Sequence, residues 1–382
     1  MRERLTDSLL LKEQVIDEFC ELVQIDSQPG DEAALADIVA EKLREIGMDV
    51  YRDRAGEAFG GNAGNVIGKP KGPMEGEPIL LCAHLDRVAP GKGICPQLKG
   101  NRITSAGDTI LAADDVAGIT AILTGLRLAR SSGSSVPAVE VLFTVSEEDR
   151  LKGAKFLDRS LLDSKMGCVF DASGPVGRVV LQAPSQVKFD ATVIGRSAHA
   201  ALNPQDGINA IQVASKAMSE LPFGWVDSDT TVNIGMIRGG ESTNIVCDRV
   251  TISGEARSRG NKMKAERVAS DLLNTFKTAS AEAGAIAETS QRVMYYGYEI
   301  SEESRLIHLV KTAMEKTGRT MIAETSMGAT DANILNSHGI QCVALGVGYE
   351  QVHSTCESIA VEELLASVEL AYHLITGNRE FT

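Results

Sequence analysis

Residues 78–86 read PILLCAHLD, a run of apolar side chains that leads directly into His84 and Asp86. Three further runs have the same apolar character, at 139–145, 167–170 and 341–347. Near-continuous apolarity over such short lengths is typical of buried strands in a parallel sheet. Helical patterns lie between these runs, so the sequence predicts an α/β fold with a mostly parallel sheet.

Helices are expected where apolar residues recur every three or four positions. This pattern occurs at 11–24, 32–46, 116–130, 302–316 and 361–375. The segment 185–293 differs, because it predicts strands and helices in the order β-α-β-β-α-β. That order is the ferredoxin-like arrangement. We therefore expect an inserted α+β domain over 185–293, and an α/β domain built from 1–184 and 294–382.

The amino-acid composition restricts the partners and the location that the chain can have. The chain has 382 residues and a net charge of -14, which argues against nucleic acid as a partner. Seven cysteines without a CxxC pair favour reduced thiols. No signal peptide is recognisable, and no stretch approaches the roughly 18 apolar residues of a membrane span. These features predict a cytoplasmic protein with no membrane partner.

Ligand-type side chains follow the predicted strands. Besides His84 and Asp86, they are Glu147 with Glu148, Asp171 and His353, and the pair Asp114–Asp115 opens the helix at 116–130. Ligands of open α/β sheets bind beyond the carboxyl ends of the strands. Each residue alone has a simpler interpretation; helix capping by Asp114 or Asp115 is favoured by about three to one. The convergence of five segments on one sheet edge favours a site instead.

Two histidines and several carboxylates, without a pair of cysteines, suit zinc, manganese or cobalt. His84 and Asp86 are two residues apart and share a face of an extended strand. Asp86 is thus placed to accept the imidazole N–H that faces away from a metal. The adjacent side chains of Glu147 and Glu148 diverge, so we expect one to bind metal and the other to act as general base.

These residues lie in motifs with a recognisable order. They are AHLD (83–86), ILAADDVAG (110–118), SEED (146–149), VFDASG (169–174) and VHSTCE (352–357), with GRSAHA (195–200), ESTNIV (241–246) and SGEARS (253–258) in the insert. Together they resemble the M20 family of metallopeptidases, and within it the peptidase T branch. The resemblance covers the whole chain and implies a zinc-peptidase-like catalytic domain with an inserted lid and dimerisation domain.

The resemblance implies two metal ions per chain, zinc first, with manganese or cobalt as alternatives. His84 and Asp171 would hold one ion, Glu148 and His353 the other, and Asp114 would bridge them. The peptide bond after Asp114 would be cis. Glu147 would be the general base, supported by Asp86, in the hydrolysis of a peptide bond by a metal-activated water.

In the insert, the resemblance implies that Arg257 binds a substrate carboxylate, Asn244 contacts the substrate backbone and His199 reaches a neighbouring subunit's site in a homodimer. A local ion pair is the simpler interpretation of Arg257. The stretch GATDAN (328–333) would line the cleft.

Two positions depart from the family pattern, which commonly has Thr and Lys where this chain has Arg87 and Val116. We expect Arg87 to place a charge near the mouth of the cleft. The implied activity is that of an aminopeptidase on small peptides, with tripeptides as substrates. Two alternatives stay open: another M20-type amide hydrolase, such as an N-acyl amino acid deacylase or a carboxypeptidase, and a catalytically silent binding protein.

Overall fold

The computed structural model describes residues 8–72, 76–131 and 138–377, so the extreme ends of the two predicted α/β segments lie outside it. Its helices are α1 (Leu9–Val23), α2 (Ala33–Ile46), α3 (Ala113–Ser131), α4 (Lys152–Lys155), α5 (Ala210–Ser219), α6 (Lys264–Glu282), α7 (Arg305–Lys316), α8 (Asp331–Ser337) and α9 (Val361–Gly377). None of the helices within these ranges is both long and apolar enough to cross a membrane.

The strands follow the same chain order. They are β1 (Met48–Arg52), β2 (Val66–Pro70), β3 (Ile79–His84), β4 (Pro96–Lys99), β5 (Arg102–Ser105), β6 (Val139–Thr144), β7 (Met166–Ala172), β8 (Arg178–Ala183), β9 (Ser185–Ile194), β10 (Gly224–Asp227), β11 (Thr230–Gly239), β12 (Arg249–Ser258), β13 (Ile286–Tyr295), β14 (Tyr298–Glu299), β15 (Ile322–Thr325), β16 (Gln341–Gly346), β17 (Tyr349–Glu350) and β18 (Ser358–Ala360).

The chain divides into two compact units. The first contains the residues up to Leu181, Ile300–Thr325 and the residues from Ala329 onward. The second contains Gln182–Glu299 and Ser326–Gly328, a range slightly wider than the predicted insert at 185–293.

The main sheet of the first unit has the strand order β1-β2-β6-β3-β7-β16-β8. Its four central strands, β6, β3, β7 and β16, run parallel, whereas the flanking pairs are antiparallel. Every residue of β3, β6 and β7 is buried, as the continuous apolar runs predicted. The fold is therefore the expected α/β architecture, with a parallel centre and antiparallel edges.

Local side-chain chemistry sets where helices begin and end. The structure starts α7 at Arg305 rather than at 302, because Ser304 Oγ accepts a hydrogen bond from the N–H of Ile307 at 3.3 Å. Gly47 ends α2 with a left-handed φ of 94°, a conformation that side-chain-bearing residues rarely adopt.

A second sheet of the first unit was not predicted. Its strands have the antiparallel order β17-β18-β5-β4. These strands are two to four residues long, too short to produce a readable alternation of apolar and polar residues. The sheet matters for the site because β17 and β18 flank the segment that contains His353.

The second unit contains one antiparallel sheet with the order β10-β11-β12-β9-β13, and α5 and α6 belong to the same unit. Apart from β10, its elements match the predicted ferredoxin-like series. Alternate residues of β9, such as Val187, Phe189 and Ala191, lie in a core shared with both helices. The added edge strand β10 was missed because Gly224–Asp227 contains only two apolar residues.

Candidate metal centre

The carboxyl ends of β3, β6 and β7 lie at one edge of the main sheet, as the parallel order requires. His84 is the last residue of β3 and is paired in register with Thr144, the last residue of β6. Glu147 follows three residues after Thr144, and Asp171 is the penultimate residue of β7. Side chains from three neighbouring strands therefore meet beyond this edge.

The expected ligand residues form two groups that share Asp114. His84, Asp114 and Asp171 offer ligand atoms that all lie within 4.8 Å of one another, and the same holds for Asp114, Glu148 and His353. Within the first group, His84 Nε2 lies 3.0 Å from Asp114 Oδ1 and 3.9 Å from Asp171 Oδ1. In the second, His353 Nε2 lies 2.9 Å from Glu148 Oε1 and 3.4 Å from Asp114 Oδ2.

Asp114 and Asp115 interrupt α3 at its start. The peptide bond between them is cis, as the family resemblance implied, and both residues have non-helical dihedral angles. The two carboxylates of the pair serve different partners. Asp115, which was left out of the expected ligand set, accepts hydrogen bonds from the N–H groups of His84 at 3.1 Å and Gly118 at 3.2 Å.

Asp86 differs from its expected role. His84 Nδ1 lies 2.9 Å from the backbone carbonyl oxygen of Asp86, and its carboxylate Oδ1 is farther away, at 3.5 Å. The carboxylate instead accepts hydrogen bonds from the N–H groups of Glu147 at 2.8 Å and Glu148 at 3.1 Å. The Asp86 carboxylate is therefore closer to the backbone of both glutamates than to the imidazole, and it supports the turn that contains them.

The expectation that Arg87 places a charge near the mouth of the cleft is wrong, because its side chain is only 1% exposed. Its Nη1 donates to the carbonyl of Val23 at 2.6 Å, whereas Nε and Nη2 have no hydrogen-bond partner among the described residues. Burial lowers the pKa of Arg87 to about 10. Val116, the other departure, is also buried.

Three buried residues around the site were not predicted from the sequence. The Tyr349 hydroxyl donates to Asp171 Oδ1 at 3.1 Å. Glu32 Oε1 accepts hydrogen bonds from Ser146 Oγ at 2.8 Å and Ser146 N at 3.0 Å, immediately before Glu147. Glu357 accepts from the segment that leads to Asp114. Among these three, only Glu357 lies in a motif quoted above, and no spacing rule pointed to it.

Of the GATDAN stretch, Asp331 begins α8 and is buried. It accepts a hydrogen bond from the hydroxyl of Thr144 at 2.5 Å. Burial raises the pKa of Asp331 to about 6.

The electrostatics of the site reflect crowded carboxyl groups away from water. Burial, with neighbouring carboxylates, holds the pKa values of Glu147 and Asp171 well above their usual range. Burial also opposes ionisation of Asp114, but hydrogen bonds from His353 and His84 bring its pKa below the usual range. A divalent cation would relieve this crowding, because it compensates several buried negative charges at once. The donor set therefore fits hard or borderline divalent metals.

The remaining expected residues belong to the second unit. Arg257 lies on β12, where its Nε donates to Glu255 Oε1 at 2.7 Å and its Nη1 to the carbonyl of Met327 at 3.0 Å. The local ion pair considered for Arg257 is thus present. His199 Nδ1 accepts hydrogen bonds from the N–H groups of Ala201 and Leu202, each at 3.2 Å. Asn244 is exposed and lies in the loop between β11 and β12.

Two family models match the chain. The M20 peptidase dimerisation domain matches residues 185–284, and the model for peptidase family M28 matches residues 65–230. The Bacillus subtilis protein YqjE is 39% identical over 365 residues, which cover 95% of this chain and 98% of that protein.

Two solved structures are similar to this chain over nearly its full length. An aminopeptidase PepT from Bacillus cereus is 40% identical, with a TM-score of 0.91 and coverage of 95% of this chain and 98% of that one. A tripeptidase from Staphylococcus aureus is 35% identical, with a TM-score of 0.91 and coverage of 95% and 97%, respectively.

Proposed function

The chain belongs to the M20 family of metallopeptidases, and on this premise we propose that it is a dinuclear aminopeptidase that removes the first residue of tripeptides. The observation that carries the dinuclear part is the pair of ligand groups sharing Asp114. The aminopeptidase part draws on the similarity to the PepT and tripeptidase structures.

In this proposal, His84 and Asp171 would hold one zinc ion, Glu148 and His353 would hold the second, and Asp114 would be a ligand shared by both. Manganese and cobalt accept the same ligands. The shared position of Asp114 supports the bridging role, because its Oδ1 faces His84 and its Oδ2 faces His353. Each oxygen of one carboxylate is thus directed at a different group of ligands.

The bound ions would supply Lewis acidity toward the substrate carbonyl and lower the pKa of a water molecule. Glu147 is the general base that takes a proton from the attacking water and returns it to the departing amine. Positioned proton transfer contributes about 10²–10⁴ in rate. The hydrogen bond that the N–H of Glu147 donates to Asp86 Oδ1 supports this role, since it fixes the turn that contains Glu147.

Three residues of the second unit are proposed to bind substrate. Because His199 Nδ1 accepts two amide hydrogen bonds, its proton lies on Nε2, which is then a donor suited to a carbonyl oxygen. Arg257 would bind a substrate carboxylate, a task that suits a planar guanidinium already oriented by Glu255. Asn244 would contact the substrate backbone.

We further propose a homodimer formed through the second unit, where the M20 dimerisation model matches. In the described part of the chain, β10 pairs only with Thr230, Thr231 and Val232 of β11. In the part of β11 beyond this pairing, the side chains of Met236 and Ile237 are each 52% exposed. An apolar edge of this kind favours strand pairing between subunits. Ile237→Arg should yield monomers in analytical ultracentrifugation, and an unchanged mass would refute this interface.

A cytoplasmic location is also proposed. All seven cysteines are free thiols, which suits a reducing compartment. Fractionation of the native host should recover the protein with cytoplasmic markers, whereas its recovery outside the cytoplasm would contradict this.

A substrate panel tests the activity. The zinc-loaded protein is incubated with a tripeptide, its N-acetylated form, a dipeptide and an N-acyl amino acid, and the products are identified by mass spectrometry. We expect the free tripeptide to yield an amino acid from its amino end and a dipeptide. Preference for the acylated compounds would favour a deacylase. Release of an amino acid from the carboxyl end would favour a carboxypeptidase, and no cleavage at all would favour a binding protein.

A further inference from the structure

Three backbone N–H groups at the start of α3 and just before it donate hydrogen bonds to a single carboxylate. The N–H groups of Leu111 and Ala112 donate to Glu357 Oε2 at 2.8 and 2.9 Å, and the N–H of Asp114 donates to Oε1 at 3.0 Å. Ala112 has a left-handed φ of 59°. Such a backbone turn directs neighbouring N–H groups to one side and forms a concave anion site, which Glu357 fills.

Glu357 is only 1% exposed and follows His353 by four residues. Its own N–H donates to the carbonyl of Ser354 at 3.1 Å, and β18 begins at the next residue. The carboxylate therefore connects the segment of His353 to the segment of Asp114. Asp114 belongs to both groups of candidate ligands, and His353 belongs to the second group.

We infer that Glu357 is a positioning residue that holds Asp114 in the geometry for metal binding without being a ligand itself. The inference rests on the proposed dinuclear site. Without the carboxylate, three N–H groups of the segment would be left without acceptors in a buried place, which favours rearrangement of the loop. Residues that orient metal ligands in this way typically change metal affinity by about 10–100-fold when they are replaced.

The test compares zinc affinity among Glu357→Gln, Glu357→Ala and a matched control, Glu350→Gln. Glu350 lies on β17 in the same part of the chain, but its carboxylate is exposed and pairs with Arg102 at 2.9 Å. Zinc affinity is measured by competition with a chromophoric chelator on folded, metal-free protein. Circular dichroism and metal-free melting temperature report separately on folding.

Glutamine keeps one acceptor oxygen and alanine keeps none, so zinc affinity should fall in the order wild type, Gln variant, Ala variant. We expect losses of about 10-fold and about 100-fold, and no loss in the control. Amide hydrogen exchange of residues 111–114 in the metal-free protein should accelerate in the Gln variant but not in the control.

A lower melting temperature with unchanged zinc affinity and unchanged exchange at 111–114 would show a purely structural role and overturn the inference. If the alanine variant does not fold, the glutamine variant decides. Failure of the wild-type protein to bind zinc would overturn the proposed function as well. Normal zinc binding by wild type and by both Glu357 variants would overturn this inference alone.

Discussion

The N–H of Glu147 donates a 2.8 Å hydrogen bond to Oδ1 of Asp86, which lies 61 residues earlier in the chain. The same carboxylate accepts from the N–H of Glu148 through its other oxygen. The side chain of Asp86, two residues beyond the end of β3, thus fixes the turn after β6. In the proposed mechanism, this turn contains the general base and a metal ligand.

Asp86→Ala should therefore lower kcat by about 10–100-fold while the KM for the tripeptide changes little. Asp86→Asn keeps one acceptor oxygen and should retain more activity than the alanine variant. Steady-state kinetics on metal-loaded proteins measure both constants. Equal kcat in the wild-type and alanine proteins would contradict the positioning role of Asp86.

Glu147→Gln should bind metal normally but lose about 10²–10⁴ in kcat, because the amide cannot accept the proton of the attacking water. The control is Asp149→Asn, in the same motif. Asp149 pairs with Lys152 and is 40% exposed, so this variant should keep its activity. Activity that survives in Glu147→Gln would exclude the general-base assignment.

Metal binding should release protons. Hydrogen bonds to Asp114 and Glu148 raise the pKa of His353 from 6.5 to about 10 in the metal-free protein. Near neutral pH the imidazole is thus protonated, and a metal ion must displace that proton. Zinc affinity should rise with pH until about 10, since the proton-bound form competes below that value.

The stability of the metal-free protein depends on pH in the opposite direction from zinc affinity. Because the folded-state pKa of His353 is raised, its ion pairs stabilise the metal-free protein fully below pH 6.5, and this contribution is lost as pH rises through about 10.

The predicted proton release is measured by calorimetry of zinc binding in buffers of different ionisation enthalpy, which gives the number of protons released. His353→Ala should release fewer, and a binding heat that is the same in every buffer would contradict the expectation.

Arg87→Ala should destabilise the protein without altering substrate affinity. The side chain is fully buried, so its removal leaves a cavity and costs on the order of 2–5 kcal/mol. The carbonyl of Val23 also loses its donor from Arg87. Urea unfolding and the KM of the folded variant are compared with wild type. Unchanged stability with a shifted KM would restore a role for Arg87 at the cleft mouth.

The parallel strands and the meeting of ligands at their ends follow from the sequence because apolar runs and strand direction determine both. His84, Glu147 and Asp171 each follow or end a buried run, so their convergence needs only the sheet order. Asp114 and His353 were placed mainly by the family resemblance, because loop conformations set their positions.

The supporting contacts could not be predicted from the pattern. Glu32 reaches Ser146 across 114 residues, and Glu357 reaches Leu111 across 246. Both contacts depend on left-handed backbone turns at Ser146 and Ala112, where φ is 50° and 59°. Neither residue is a glycine or an asparagine, so composition gives no indication of these turns. The burial of Arg87 likewise depends on how α1 and the following loop pack.

The most direct test of the central claim is the zinc content per chain after equilibrium dialysis, for wild type and for His353→Ala. A dinuclear centre in which His353 serves only one of the two ligand groups predicts about two ions in wild type and about one in the variant. Less than one ion per wild-type chain, or identical contents in both proteins, would contradict the dinuclear centre.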